Sequence, residues 1–148
     1  MKKNKVSIIV RTRNEERWIS QCLSAIEKQS YKNHEVILVD NDSSDNTVEI
    51  AKEFNVKLVN YRPKGKFKPG KSINLGIEAS DGEYISIISG HCIPKNKDWL
   101  KNLIRNLKKD DIAGVYGRQE PLSFTSFLDK RDLTITFGLD RKVQKKDP

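Results

Sequence analysis

Cysteine is nearly absent from this chain: Cys22 and Cys92 are the only two in 148 residues. Two cysteines make no disulfide framework, so a hydrophobic core must hold the fold together, and a reducing cytoplasm suits it. Long apolar runs are missing as well. The first candidate, Val6 to Val10, is bounded by Lys5 and Arg11, too short for a secretory leader and far short of the roughly 20 residues a bilayer span needs. The expectation is a cytoplasmic protein, with peripheral contact at the inner face of a membrane left open. Acidic residues are in deficit, 20 against 28 basic ones, leaving a net charge of +8. That excess favours nucleic acid, phosphorylated ligands or an anionic membrane surface, and it also serves solubility alone. No glycine-rich fingerprint follows the first apolar run, which argues against a dinucleotide site or a P-loop. Phe67 is the lone aromatic between Arg62 and Lys71, thin support for stacking on single strands, so nucleic acid is not expected as a partner.

What is present is a regular alternation. Val6 to Val10 reads as a buried strand, and Trp18 to Lys28 as a helix with Ile19, Cys22, Leu23 and Ile26 inward. Val36 to Val39 is a second strand. Asp45 and Asn46 offer a cap for a helix through Phe54, and Val56 to Val59 is a third strand. A loop rich in Pro, Gly and Lys over 61–70 leads to a helix from Lys71 to Ala79. Asp81-Gly82 turns the chain into a fourth strand, Tyr84 to Ile88. Asp98 to Leu107 is helical, Ala113 to Tyr116 reads as strand, and Phe124 to Ile135 is ambiguous, with a helix as one reading. Strand and helix in alternation predict an α/β fold, a Rossmann-like parallel sheet with helices on both faces and strand order 3-2-1-4.

In such sheets ligands gather outside the carboxyl ends of the strands. Three polar clusters fall there: Arg11-Thr12-Arg13-Asn14-Glu15-Glu16, Asp40-Asn41-Asp42-Ser43-Ser44-Asp45, and Ser89-Gly90-His91-Cys92. Asp40 closes its own strand, where a carboxylate can accept from a base N–H or ribose hydroxyls, whereas Asp45 is placed to cap the next helix. The cationic loop Arg62, Lys64, Lys66, Lys68 and Lys71 precedes a helix N-terminus, a good place to hold a diphosphate.

Val6-Ser7-Ile8-Ile9-Val10 followed by Thr12-x-Asn14-Glu15 resembles the opening of the family 2 glycosyltransferases, which have the GT-A fold. Val39-Asp40-Asn41-Asp42-Ser43-Ser44-Asp45-Asn46-Thr47, Lys71-Ser72-Ile73-Asn74-Leu75-Gly76-Ile77 and Asp81-Gly82-Glu83-Tyr84-Ile85 continue the resemblance in order, from residue 5 to about 118. It implies a GT-A type nucleotide-binding half and glycosyl transfer, with inversion, from a nucleoside-diphosphate sugar. By the same resemblance the acceptor is a glycan or lipid-linked precursor in cell-surface polysaccharide synthesis. Arg11, Thr12, Arg13, Glu15, Asp40 and Asn41 match nucleoside-contacting positions, and Lys71 and Asn74 the region near diphosphate and sugar.

Two departures shape the expectations. The family's Asp-x-Asp, which holds Mg²⁺ or Mn²⁺ against the donor diphosphate, is replaced here by Ser89-Gly90-His91. His91 is then the one candidate ligand, any divalent metal should bind more weakly than to paired carboxylates, and His91 as a simple hydrogen-bonding group stays open. In addition, no carboxylate matches the family's acceptor base. Residues 1–148 are therefore expected to be one GT-A-like domain cut short, with 119–148 beginning an acceptor-side region and the base elsewhere. A binding module without catalysis is the alternative.

Overall fold

The computed structural model describes residues 2–65, 68–108, 112–122, 125–138 and 140. Lys66, Phe67, Phe124 and the terminal residues 139 and 141–148, on which expectations were placed above, lie outside them. Four strands, β1 (Lys2–Thr12), β2 (His34–Asp40), β3 (Lys57–Asn60) and β4 (Gly82–Ser89), form one parallel sheet in the order β3-β2-β1-β4. The predicted order is the observed one.

The helices are α1 (Ile19–Glu27), α2 (Thr47–Ala51), α3 (Pro69–Glu78), α4 (Trp99–Leu107) and α5 (Phe127–Phe137). Side chains alternate across a strand, so β1 and β2 each feed two cores. Val6, Ile8, Val10, Val36 and Leu38 pack with Ile19, Cys22, Leu23 and Ile26 of α1, Ala51 of α2, and Leu100 and Ile104 of α4. Ile9, Ile37 and Val39 face the opposite side, where Leu75 of α3 covers them. The two helix-covered faces explain why these strands read as continuous apolar runs. α3 lies so close that a Cβ on Gly76 would stand 2.7 Å from Ile9 Cγ2 and 2.9 Å from Val39 Cγ2. A side chain there would push the helix off the sheet.

Two expectations need correction. Ala113 to Tyr116 is not a strand: residues 112–122 have no regular structure. An apolar run becomes a strand only when another strand pairs with it, and none of the described residues does so. The helix predicted through Phe54 stops at Ala51, and α3 starts at Pro69, two residues earlier than expected, because proline is well accommodated in a first turn.

The amino ends of the strands are joined by a polar network. Glu35 accepts from the Ser7 hydroxyl at 2.5 Å and the Asp81 N–H at 3.0 Å, and pairs with Lys5 Nζ at 2.9 Å. Burial opposes ionisation of Glu35, but these donors outweigh it and hold its carboxyl below the usual range. A depressed carboxyl stabilises the fold above its unfolded pKa of about 4.3 and loses that contribution as pH falls through the lower folded value. Glu35→Gln should thus lower the melting temperature at pH 7 and flatten its decline between roughly pH 5 and 3, read by circular dichroism. An unchanged acid profile would contradict this.

Candidate functional site: the carboxyl ends of the strands

The strand order reverses at β1. From β1 the chain builds outward through β2 to β3, then crosses back so that β4 lies on the other side of β1. The connections leaving β1 and β4 therefore part company, and a crevice opens between their carboxyl ends. Arg11 and Ser89 are register partners across it, and the Gly90 N–H donates to the Arg11 carbonyl at 2.9 Å.

The loops after β1 and β2 are stitched together. Asn14 donates its N–H to the Ser43 hydroxyl at 2.9 Å and accepts from the Ser44 N–H at 2.8 Å. The Glu15 N–H donates to Thr47 Oγ1 at 2.7 Å, the Glu16 N–H to Asp45 at 3.0 Å, and the Asn46 N–H to Glu16 at 3.0 Å. Asn14 and Asp42 take left-handed backbone angles, φ 54° and 61°, which Asn and Asp tolerate better than most side chains. Asp45 accepts from the Thr47 N–H and hydroxyl, so the cap on α2 comes from Asp45, as expected, two residues ahead of the first helical residue. Burial opposes ionisation of Asp45, yet the Thr47 hydroxyl and the Glu16 and Thr47 N–H groups hold its carboxyl below the usual range.

Asp40, only 4 % exposed, spends its carboxylate on this architecture. Oδ2 accepts from the Ser43 N–H at 3.0 Å, and Oδ1 from the Ser43 hydroxyl at 2.6 Å and the Thr12 hydroxyl at 3.4 Å. Asn41 differs. Its backbone N–H and its side-chain Nδ2 both donate to the Thr12 carbonyl, at 2.9 and 2.7 Å, which fixes the amide. Its Oδ1 is buried with no partner among the described residues, and so is the hydroxyl of Ser72 in the first turn of α3. Unpartnered buried oxygens are costly and uncommon, and each could accept from a ligand's N–H or O–H.

On the β4 side, His91 Nδ1 lies 2.6 Å from Glu15 Oε1. Glu15 is largely buried and His91 half-exposed, 16 % against 55 %. Gly90 permits this approach: a Cβ there would stand 2.7 Å from Thr12 Cγ2 and 3.3 Å from Glu15 Cγ. Among the described residues the guanidinium groups of Arg11 and Arg13, the Lys71 ammonium and the Asn74 amide make no hydrogen bond or ion pair. Arg62 pairs with Asp42 at 3.1 Å, tying the start of the basic loop to the loop after β2. A cleft of about 1020 Å³ along the outer edge of β4 shares Arg11, Ser89 and His91 with the crevice, but Thr12, Asp40 and Asn41 lie outside it. Of the predicted residues, then, Arg11, Thr12, Glu15, Asp40, Asn41, Ser89 and His91 are brought together. Arg13 is exposed on the loop after β1, and Lys71 and Asn74 are exposed on α3. Ser43 and Thr47, which hold Asp40 and Glu15, went unnoticed because nothing distinguishes them in sequence from ordinary turn residues.

The sequence profile of Glycosyl transferase family 2 matches residues 7–147. A dolichyl N-acetyl-alpha-D-glucosaminyl phosphate 3-beta-D-2,3-diacetamido-2,3-dideoxy-beta-D-glucuronosyltransferase from Methanococcus voltae is 34% identical over 125 residues, 77% of this chain and 39% of that protein. The UDP-Glc:alpha-D-GlcNAc-diphosphoundecaprenol beta-1,3-glucosyltransferase WfgD of Escherichia coli is 32% identical over 133 residues, 84% of this chain and 49% of its own. Among solved structures, TarS 1-349 of S. aureus superposes with a TM-score of 0.64 at 28% identity, over 80% of this chain and 39% of that one. The mannosyltransferase PcManGT from Pyrobaculum calidifontis, solved with GDP-Man and Mn²⁺, gives 0.65 at 26%, over 72% and 33%. These neighbours are GT-A fold glycosyltransferases, and the chain has that fold. It spans about two fifths of the length of the first of these relatives.

The divalent metal that the fold family implies does not fit the residues present. Among the described residues no three His, Cys, Asp or Glu side chains converge on one point. At the carboxyl end of β4 the family's two carboxylates are replaced by the Ser89 hydroxyl and a single imidazole, His91, so among the described residues no carboxylate pair stands there for a hard cation. Nearby Cys22 offers no ligand either, since burial pushes its thiol up to about 12.

The stitching makes one residue testable. Thr47→Val leaves the Glu15 N–H and Asp45 without their hydroxyl, at a cost of about 1–3 kcal/mol. Thr47→Ser should recover most of that stability in urea denaturation. Equal stability of the valine variant and the parent chain would show that the loops are held by other contacts.

Proposed function

Because this chain belongs to glycosyl transferase family 2, we propose that it binds a nucleoside-diphosphate sugar at the carboxyl ends of β1, β2 and β4. In this reading it supplies the donor side of an inverting transfer to a glycan or lipid-linked acceptor in cell-surface polysaccharide synthesis. The observation that carries the proposal is the fixed Asn41 amide at the carboxyl ends of β1 and β2, whose buried Oδ1 has no partner among the described residues. With Nδ2 locked on the Thr12 carbonyl, Asn41 can only accept, which suits a base N–H or a ribose hydroxyl. Asp40 supports the turn that positions it. Arg11 and Arg13 line the nucleoside side, Lys71, Asn74 and Ser89 the diphosphate and sugar side, and His91 supplies a donor group for the diphosphate. The lipid-linked substrates of the relatives from M. voltae and E. coli support an acceptor of that kind. Contact with an anionic membrane face would suit the +8 charge, and no helix among the described residues is long and apolar enough to cross a bilayer.

In the transfer itself an acceptor oxygen bonds to the anomeric carbon as the bond from that carbon to the diphosphate breaks. The acceptor proton passes to a base, and positive groups at the crevice stabilise the departing diphosphate. Glu120 is poorly suited as that base. Lys95 and Arg118 both pair with it and hold its carboxyl below the usual range, away from the operating pH. The base is proposed to lie outside residues 1–148.

Thermal-shift titration with UDP, dTDP, GDP and a single-stranded oligonucleotide tests the proposal. One diphosphate should stabilise the chain, and Asn41→Ala should weaken it about tenfold through the lost acceptor. Oligonucleotide binding with a steep salt dependence and no response to any diphosphate would replace this reading with a nucleic-acid-binding one.

A further inference from the structure

Resting on that donor-binding reading, we infer that His91, held by Glu15, contacts the donor diphosphate directly and that the chain binds its nucleotide without a metal ion. The reasons are geometric. The crevice brings Ser89, Gly90 and His91 opposite Arg11, with no carboxylate free to carry a divalent cation to the phosphates. Glu15 is not such a carboxylate. Its backbone N–H is anchored on Thr47, its Oε1 sits 2.6 Å from His91 Nδ1, and its side chain is mostly buried.

That contact sets the ring's chemistry. A carboxylate accepts, so Nδ1 carries a proton and Nε2 is the nitrogen left for a ligand, with no partner among the described residues. Donation from both nitrogens at once makes the ring an imidazolium, and a charge-assisted N–H to a phosphate oxygen is among the stronger hydrogen bonds available. Gly90 is part of the device, because any larger residue would collide with Thr12 and hold His91 away from Glu15. Together with the unpaired guanidinium of Arg11, the site then offers two positive charges where paired carboxylates would need an ion.

Calorimetric titration of the 148-residue chain with UDP, dTDP and GDP, each in EDTA and again in Mn²⁺, provides the test. The diphosphate that binds should do so equally, within about twofold, in both media. His91→Ala should weaken that diphosphate about tenfold in EDTA while leaving the affinity for the corresponding nucleoside, followed by NMR, unchanged. Glu15→Gln, a change of positioning alone, should give a smaller loss with the same split between diphosphate and nucleoside. Binding that disappears in EDTA and returns with Mn²⁺ would overturn the inference, as would equal losses of nucleoside and diphosphate in His91→Ala. Either result would leave donor binding itself intact. If none of the three diphosphates binds, the donor-binding reading fails and this inference with it.

Discussion

Everything at the candidate site depends on β1 being paired on both edges and buried on both faces. Its register with β2 brings Thr12 opposite Asp40, and its register with β4 brings Arg11 opposite Ser89. A parallel sheet with this reversal has one place where two strand ends diverge, and the polar groups are gathered there. The apolar run Val6–Val10 thus does more than fill the core. Buried on both faces and paired on both edges, it fixes which residues emerge at its end and in which direction.

The division of labour between neighbouring residues follows from that placement. Asp40 and Asn41 are adjacent and both nearly fully buried, yet both oxygens of Asp40 accept hydrogen bonds within the fold while Asn41 Oδ1 has no partner among the described residues. Asp40 holds the turn, and the Asn41 oxygen is open to a ligand. Glu15 and His91 repeat the pattern on the far side of the crevice. The buried carboxylate is anchored and the exposed ring presents its second nitrogen. In both pairs the residue with the stronger charge supports its neighbour, which suits a site that must be ordered before the donor arrives.

How far the sequence revealed this depends on the range of the interactions involved. Helix α1 was legible because Ile19, Cys22, Leu23 and Ile26 recur at helical spacing, and the sheet order followed from alternation and crossover rules. Arg11, Asp40, Asn41 and Ser89 were legible as the first polar residues after apolar strands. Ala113 to Tyr116 misled because an apolar run says nothing about whether a pairing strand is at hand. The contact of Glu15 with His91, 76 residues apart, and the support of Asp40 by Ser43 and of Glu15 by Thr47 could not be read from local pattern. They depend on how close β4 comes to the loop after β1, which Gly90 permits.

The most direct test of the central claim is an NMR map of amide shifts as a nucleoside diphosphate is added to the chain. The account places the changes at Thr12, Asn41, Gly90 and His91 and in the first turn of α3, with the amino ends of the strands around Lys5, Glu35 and Asp81 unmoved. Changes confined to the outer edge of β4 and α5, or to the amino ends of the strands, would show that the ligand site is not at the β1–β4 crevice.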